Sequence, residues 1–213
     1  MPHTFLGFLF GPGDSTVSRG NRRLEPLLAG IVRIPGRKVR LTGSEIRELF
    51  FDSTERPTHR PGRGQRRYYS GKKRRHTIKH QVVVVRRRKR PGRGQPRRWR
   101  TAALSRAFPG AVPDKKVFDR ARVVIPAGAT GYGDTAYLGT VLTPPRRKPA
   151  RGASTPRQKA GNRRVGRKRV AVEHGIGKMT VWRIAAGRWR NPRRRHTLMM
   201  KNVAGLHNRM FAA

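Results

Sequence analysis

The chain contains no cysteine, which excludes disulfides, thiolate metal sites and a cysteine nucleophile, and is compatible with a reducing compartment. Long apolar runs are missing too. "FLGFLF" at residues 5–10 is too short for a signal-peptide core or a membrane span and has no Lys or Arg before it, so it is expected to be the buried edge of a helix. Acids are scarce: ten Asp and Glu stand against 52 Lys and Arg, a formal net charge of +42. From Arg56 to Pro113 there is no acid at all among 20 basic residues. Arg-rich codon usage accounts for part of this excess but not for its asymmetry. Self-repulsion on that scale calls for a polyanion, and nucleic acid is the partner that fits. "GRG" and "GYG" lack the Lys-Ser/Thr of a phosphate loop, and no G-x-S-x-G occurs, so neither nucleotide hydrolysis nor a serine esterase finds support.

What is present is one ordinary domain of 213 residues, 35% apolar, with the apolar residues gathered in short blocks. Residues 14–29 place Val17, Leu24, Leu27 and Leu28 at helical spacing behind Asp14 and Ser15, with Pro26 arguing against an uninterrupted helix. After the turn "GPG", this segment reads either as the second half of a helix-turn-helix or as a surface helix packed on the main domain. "TGSE" at 42–45 has the form of a capping box and predicts a short helix handing over to the strand "LFFD". "RRHTIKHQVVVV" at 74–85 predicts a strand covered on both faces, with "RTAALSRAF" at 100–108 as its partner. "DKKVFDRAR" at 114–122 predicts a helix, and residues 123–139 a strand broken by Pro126 and glycines. Residues 142–155 read as a Pro-rich loop. From Gln158 to about Gly187 runs the longest helical pattern, carried by Val165, Val172, Ile176 and Met179 and weakened at Gly175 and Gly177. A last amphipathic helix carries Leu198, Met199, Val203 and Leu206. "RPGRGQ" occurs twice, at 60–65 and 90–95, at the two ends of the valine strand. Pro and Gly put these arginines on loops, suited to minor-groove entry or to plain phosphate contact.

Three of the ten acids stand beside apolar or glycine-rich sequence: Asp52 at a strand end, Asp134 at the end of the broken strand, and Glu173 within the long helix. Carboxylates on two strand ends and a helix suit two Mg²⁺ or Mn²⁺ ions, which bridge substrate phosphates and support an in-line displacement. The His76/His80 pair reads as structural or phosphate-facing rather than as a metal site.

The order "FFDSTERP", "YYSGKKRRHTIKHQVVVV", "FPGAVPDKKVFD", "GDTAYLG", "RVAVEHGIGKM" and "NVAGLHNRMF", from about Leu41 to Phe211, resembles bacterial insertion-sequence transposases of the Harbinger-type DDE superfamily endonucleases. The resemblance implies an α/β, RNase H-like mixed sheet flanked by helices over residues 41–213, with a remnant helix-turn-helix over 1–40. It implies catalytic, metal-holding carboxylates at Asp52, Asp134 and Glu173, the last two 39 residues apart, with Asp114 as fallback for the second. By this resemblance, two divalent ions, Mg²⁺ or Mn²⁺, support cleavage at an element's inverted repeats and strand transfer to a target. Candidate DNA contacts are Arg63 and Arg93 in the repeats, Lys72, Lys73, Arg74, Arg75 and Lys79 in "SGKKRRHTIK", and Arg169 and Lys178 flanking Glu173. The implied protein works as a homo-oligomer on transposon ends and target DNA, away from membranes, in a bacterial cytoplasm at the nucleoid.

Pro113-Asp114 stands where the family commonly has His-Asp, and Ala136 where a glycine is usual. Met1 falls almost at the second helix of the family's N-terminal unit, which leads to the expectation of an N-terminally shortened copy that keeps its catalytic carboxylates and phosphate binding and has weakened recognition of element ends. A non-catalytic basic nucleic-acid-binding protein, a decayed or repurposed copy, is the competing expectation.

Overall fold

The structure is a computed structural model and describes residues 3–43, 45–87, 99–149 and 153–210. Helix α1 (His3–Phe10) and helix α2 (Asp14–Ile31) lead into strand β1 (Glu45–Pro57), the one-turn α3 (Gln65–Tyr68), β2 (Tyr69–Ser70) and the long β3 (Arg75–Arg87). Then come β4 (Trp99–Leu104), β5 (Phe108–Pro109), α4 (Asp114–Ala121) and β6 (Thr130–Tyr132). A 3-10 turn (Thr135–Tyr137), α5 (Pro156–Thr180), α6 (Arg183–Ala186), a second 3-10 turn (Arg193–Arg195) and α7 (His196–Met210) complete the described elements.

The sheet is mixed. β1 pairs antiparallel with β3 from Leu49↔Val85 to Pro57↔Thr77, and parallel with β6 on its other edge. The far edge of β3 takes β4 and β5, both antiparallel. The valine run explains why this sheet is buried on both sides. Side chains of a strand alternate faces, so Val82 and Val84 join one core with Phe50, Val172, Met179, Met200 and Val203, while Val83 and Val85 join the other with Leu49, Phe51, Tyr137 and Leu142. Helices α5 and α7 cover the first face, and α4 with the Tyr137 turn covers the second.

α5 starts at a complete capping box: Thr155 Oγ1 accepts from the Gln158 amide, Gln158 Oε1 accepts from the Thr155 amide, and Pro156 opens the helix. Gly175 lets it lie close on the sheet, since a Cβ there would come within 2.8 Å of Val84 Cγ2. Lys168 moors the same helix with hydrogen bonds to Glu48 Oε1 at 2.5 Å and the Tyr132 hydroxyl at 2.9 Å.

Four local expectations change. "TGSE" makes a turn and not a helix: the Thr42 amide donates to Glu45 Oε2 at 2.9 Å, but β1 begins at Glu45, because Leu49, Phe50 and Phe51 are claimed by pairing with the valines. In the 123–139 segment the strand follows Pro126 instead of preceding it, with Val124 making one isolated bridge to Lys38. α2 continues through Pro26. α1 is helical, but "FLGFLF" is not a buried edge: Phe8 is 86% and Phe10 74% exposed.

The Gly11–Gly13 turn joins α1 to α2, and α2 packs on α7. Asn202 Nδ2 donates to the Glu25 carbonyl at 2.9 Å and Arg195 pairs with the Glu25 carboxylate at 2.6 Å. Among the described residues no helix is long and apolar enough to cross a membrane.

Candidate active site

The site grows from the parallel pairing of β1 with β6. Phe50 and Tyr132 are register partners and their rings stack at 5.5 Å. Two residues further along stand Asp52, which lies within β1 and not at a strand end as expected because pairing with β3 continues to Pro57, and Asp134, just beyond β6 at the start of the 3-10 turn. Each carboxylate is held by a backbone amide: Asp52 Oδ1 accepts from Ser53 N, and Asp134 Oδ1 accepts from Ala136 N, capping the 3-10 turn, both at 2.8 Å.

A hydrogen-bonded chain behind them fixes the three segments that meet here. The buried Tyr137 hydroxyl donates to Gln81 Oε1 and is 3.2 Å from Ser53 Oγ, while Gln81 Nε2 donates to the Asp52 carbonyl at 2.9 Å. Burial pushes the Tyr137 phenol well above its ordinary range, only partly offset by the hydrogen bonds to Ser53 and Gln81, so it stays protonated and works as a strut. Sequence reasoning missed Ser53, Gln81 and Tyr137. The signal lies within motifs it did use, since Tyr137 belongs to "GDTAYLG".

Asp52 and Asp134 open into a cleft of about 680 Å³, also lined by Glu55, Asp114, Arg56, Lys72, Lys73, Lys79 and Ile176. Lys79 is nearly buried, and its ammonium reaches Asp114 Oδ1 at 2.8 Å, Glu55 Oε1 at 2.9 Å and the Val112 carbonyl at 2.9 Å. An ammonium has three donors, so these contacts leave none for a phosphate. Burial pulls the Lys79 pKa down, but the hydrogen bonds and charges of Asp114 and Glu55 outweigh it and the net shift is upward. Asp114, the fallback ligand, is therefore paired with Lys79, and Glu55 shares the same cation while accepting from Thr77 Oγ1 at 3.3 Å.

Of the residues named from sequence, Asp52, Asp134, Asp114, Lys72, Lys73 and Lys79 meet in this cleft. Arg74 and Arg75 are exposed in and after the turn that follows Lys73, Arg74 at a positive φ of 48°. Arg63 is exposed on its loop. Lys178 is half-buried on α5, where its charge acts on His207. Arg93 and the second "RPGRGQ" lie outside the described residues, as does the side chain of Arg169. Glu173 is exposed and does not line the cleft; it precedes by one turn of α5 the Ile176 that does. Among the described residues no three His, Asp or Glu side chains are assembled as a metal site. The donor chemistry nonetheless fits a hard cation: Asp52 and Asp134 offer carboxylate oxygens, while Lys79 takes the other two acids of the cleft.

Residues 51–208 match the DDE superfamily endonuclease family. The chain is also similar to a probable transposase for insertion sequence element IS702 of Microchaete diplosiphon, 27% identical over 214 residues that cover 95% of this chain and 72% of that protein. No solved structure matches the chain. The family match spans most of the chain, including Asp52, Asp134 and Glu173, and with the insertion-sequence relative it shows that the chain belongs to the DDE superfamily endonucleases, as a nuclease of the transposase type.

Proposed function

We propose that the cleft is a metal-dependent DNA-cleaving site in which Asp52 and Asp134 are the first two carboxylate ligands and Glu173 is the third. The observation that carries this reading is that Asp52, within β1, and Asp134, two residues beyond the parallel β6, line one cleft with Lys72 and Lys73. The strand order also supports an RNase H-like fold: central β1 has antiparallel β3 and then β4 on one side and parallel β6 on the other. In this reading residues 41–213 are the catalytic domain, and residues 1–40 are an adjoining DNA-binding segment seated on α7.

Bound Mg²⁺ or Mn²⁺, two ions in the full site, supplies activation of the attacking water or 3′-hydroxyl and stabilisation of the leaving oxygen. The chain's own residues do the rest. Asp52 and Asp134 present fixed oxygens because amides and the Tyr137 strut hold their backbones. Lys72 and Lys73 hold the phosphodiester by charge. Glu173 reaches the site from α5 by turning toward the side that Ile176 already occupies. Cutting at the inverted repeats of an element and joining the freed 3′ ends to a target, by an oligomer that pairs both ends, is the activity this site would serve.

Glu173 standing outside the cleft favours a second reading, a copy that binds DNA without cutting it. Supercoiled plasmid with and without candidate inverted repeats, incubated with Mg²⁺, Mn²⁺ or EDTA, separates the two. The parent is expected to nick only with metal, and Asp52→Ala and Glu173→Ala are expected to lose nicking while still shifting DNA. Nicking that persists in both variants or in EDTA contradicts the ligand assignment, and shifted but uncut DNA with the parent favours the binder.

A further inference from the structure

Several partly buried cations of this protein have carboxylate partners: Lys79 pairs with Glu55 and Asp114, Arg100 with Glu45, Lys168 with Glu48, and Arg195 with Glu25. Arg56 has none of this kind among the described residues. Its Nε and Nη2 are buried and have no hydrogen-bond partner among the described residues. Arg86 Nε is also unpaired, but that guanidinium stands over the Trp99 ring and 3.7 Å from Glu48. Among the described residues no carboxylate pairs with Arg56; His80 and His196 lie near enough to feel its charge, and burial lowers the pKa of both.

A buried charge without a counterion is costly, and buried polar groups are otherwise nearly always satisfied. Arg56 lies on β1 four residues after Asp52, on the same face by strand alternation, and lines the same cleft. A planar guanidinium with unused N–H groups, presented to the cleft by a turn of the Arg56 side chain, matches the paired oxygens of a phosphate. Burial disfavours its charged form and lowers its pKa.

We propose that Arg56 is a phosphate-binding residue of the cleft, whose guanidinium donates to a non-bridging phosphodiester oxygen of a DNA strand lying beside Asp52. The inference rests on the nuclease reading of this cleft and adds to it a residue that the basic-loop pattern did not single out.

The assignment makes an unusual pair of expectations for Arg56→Met. Without DNA the variant should be at least as stable to heat as the parent, because an uncompensated charge has been removed. Its affinity for duplex DNA, measured in EDTA, should nevertheless fall by roughly 10- to 100-fold, as for loss of charge-assisted hydrogen bonds. The slope of log affinity against log salt should shrink by about 0.9, the share of one phosphate contact. Arg56→Lys should keep the salt slope while recovering only part of the affinity.

Unchanged affinity and slope in Arg56→Met overturn the proposal. So does a Met variant that is destabilised or fails to fold, if Arg56→Lys, folded, binds as the parent does, for then the residue is structural. Because binding is read in EDTA, a parent that does not nick leaves the Arg56 result standing as a property of a DNA-binding cleft, whereas a nicking parent matched by an equally tight Arg56→Met removes this inference alone.

Discussion

Phe50 and Tyr132 stack at 5.5 Å across the parallel β1–β6 pair, and this contact sets the position of the two aspartates that follow them. Phe50 is 1% exposed, so Phe50→Ala should cost about 3–5 kcal/mol of stability. Tyr132→Phe keeps the ring and loses only the hydroxyl that Lys168 donates to, with an expected cost of about 0.5–1.5 kcal/mol. Urea denaturation gives both values. Per folded molecule, nicking should drop in Phe50→Ala and hold in Tyr132→Phe; equal nicking by both would mean that the stack does not set the site.

Lys79 is the internal counterion of two carboxylates. Lys79→Met should destabilise by about 3–5 kcal/mol, since breaking a buried pair leaves charge uncompensated. Adding Asp114→Asn should restore part of that loss, with Thr77 still donating to Glu55. Denaturation of the single and double variants at neutral pH reads the difference. A double variant no more stable than Lys79→Met would show that Asp114 is not what Lys79 neutralises.

A buried histidine pair makes stability depend on acid. His80 Nδ1 donates to the Ser105 carbonyl at 2.9 Å, so its Nε2 must accept from His196 Nδ1 at 2.7 Å, with the two rings stacked and the Trp189 edge against His196. This hydrogen bond needs His80 unprotonated at Nε2, and burial favours the neutral form of both rings. Burial lowers His80 to about 4, aided by Arg56, and lowers His196 to about 3, aided by the charges of His80 and Arg56. In the unfolded chain both return to an ordinary value of about 6.5. Below that pH the unfolded chain binds more protons than the folded one. The contribution is therefore complete above about pH 6.5 and is lost as pH falls, at up to about 1.4 kcal/mol per unit for each ring. His207, lowered by burial and by Lys178, acts in the same sense. Urea midpoints from pH 7 to 4.5 should fall steadily, and less steeply in a His80→Phe/His196→Leu double variant; a flat parent profile would contradict the neutral pair.

Patterns that are local or periodic were legible in the sequence: the valine strand, the helix at Asp114–Ala121, and the long helix through Met179. Asp52 and Asp134 were reached through motif order, and their shared cleft follows from a three-residue parallel pairing that no periodicity announces. Lys79 read as a DNA contact in a basic run, whereas its three donors are taken within the protein. Its partners, Glu55 and Asp114, lie on other elements, and only the cross-strand register Glu55↔Lys79 brings the first of them near. Glu55 was unexplained for the same reason. Gly175 read as a weak point of its helix, whereas it is a place where helix and sheet approach too closely for a Cβ, against Val84. "TGSE" misled because a half-formed capping box is compatible with a turn into a strand, and pairing with β3 decided between them.

The central claim, that Asp52 and Asp134 hold the metal and Asp114 does not, is tested most directly by titrating Mn²⁺ into the parent and the variants Asp52→Asn, Asp134→Asn and Asp114→Asn, with bound Mn²⁺ read by electron paramagnetic resonance. The account predicts that Asp52→Asn and Asp134→Asn each weaken Mn²⁺ binding at least 10-fold while Asp114→Asn binds as the parent does. Weakened binding in Asp114→Asn with unchanged binding in Asp134→Asn would contradict it.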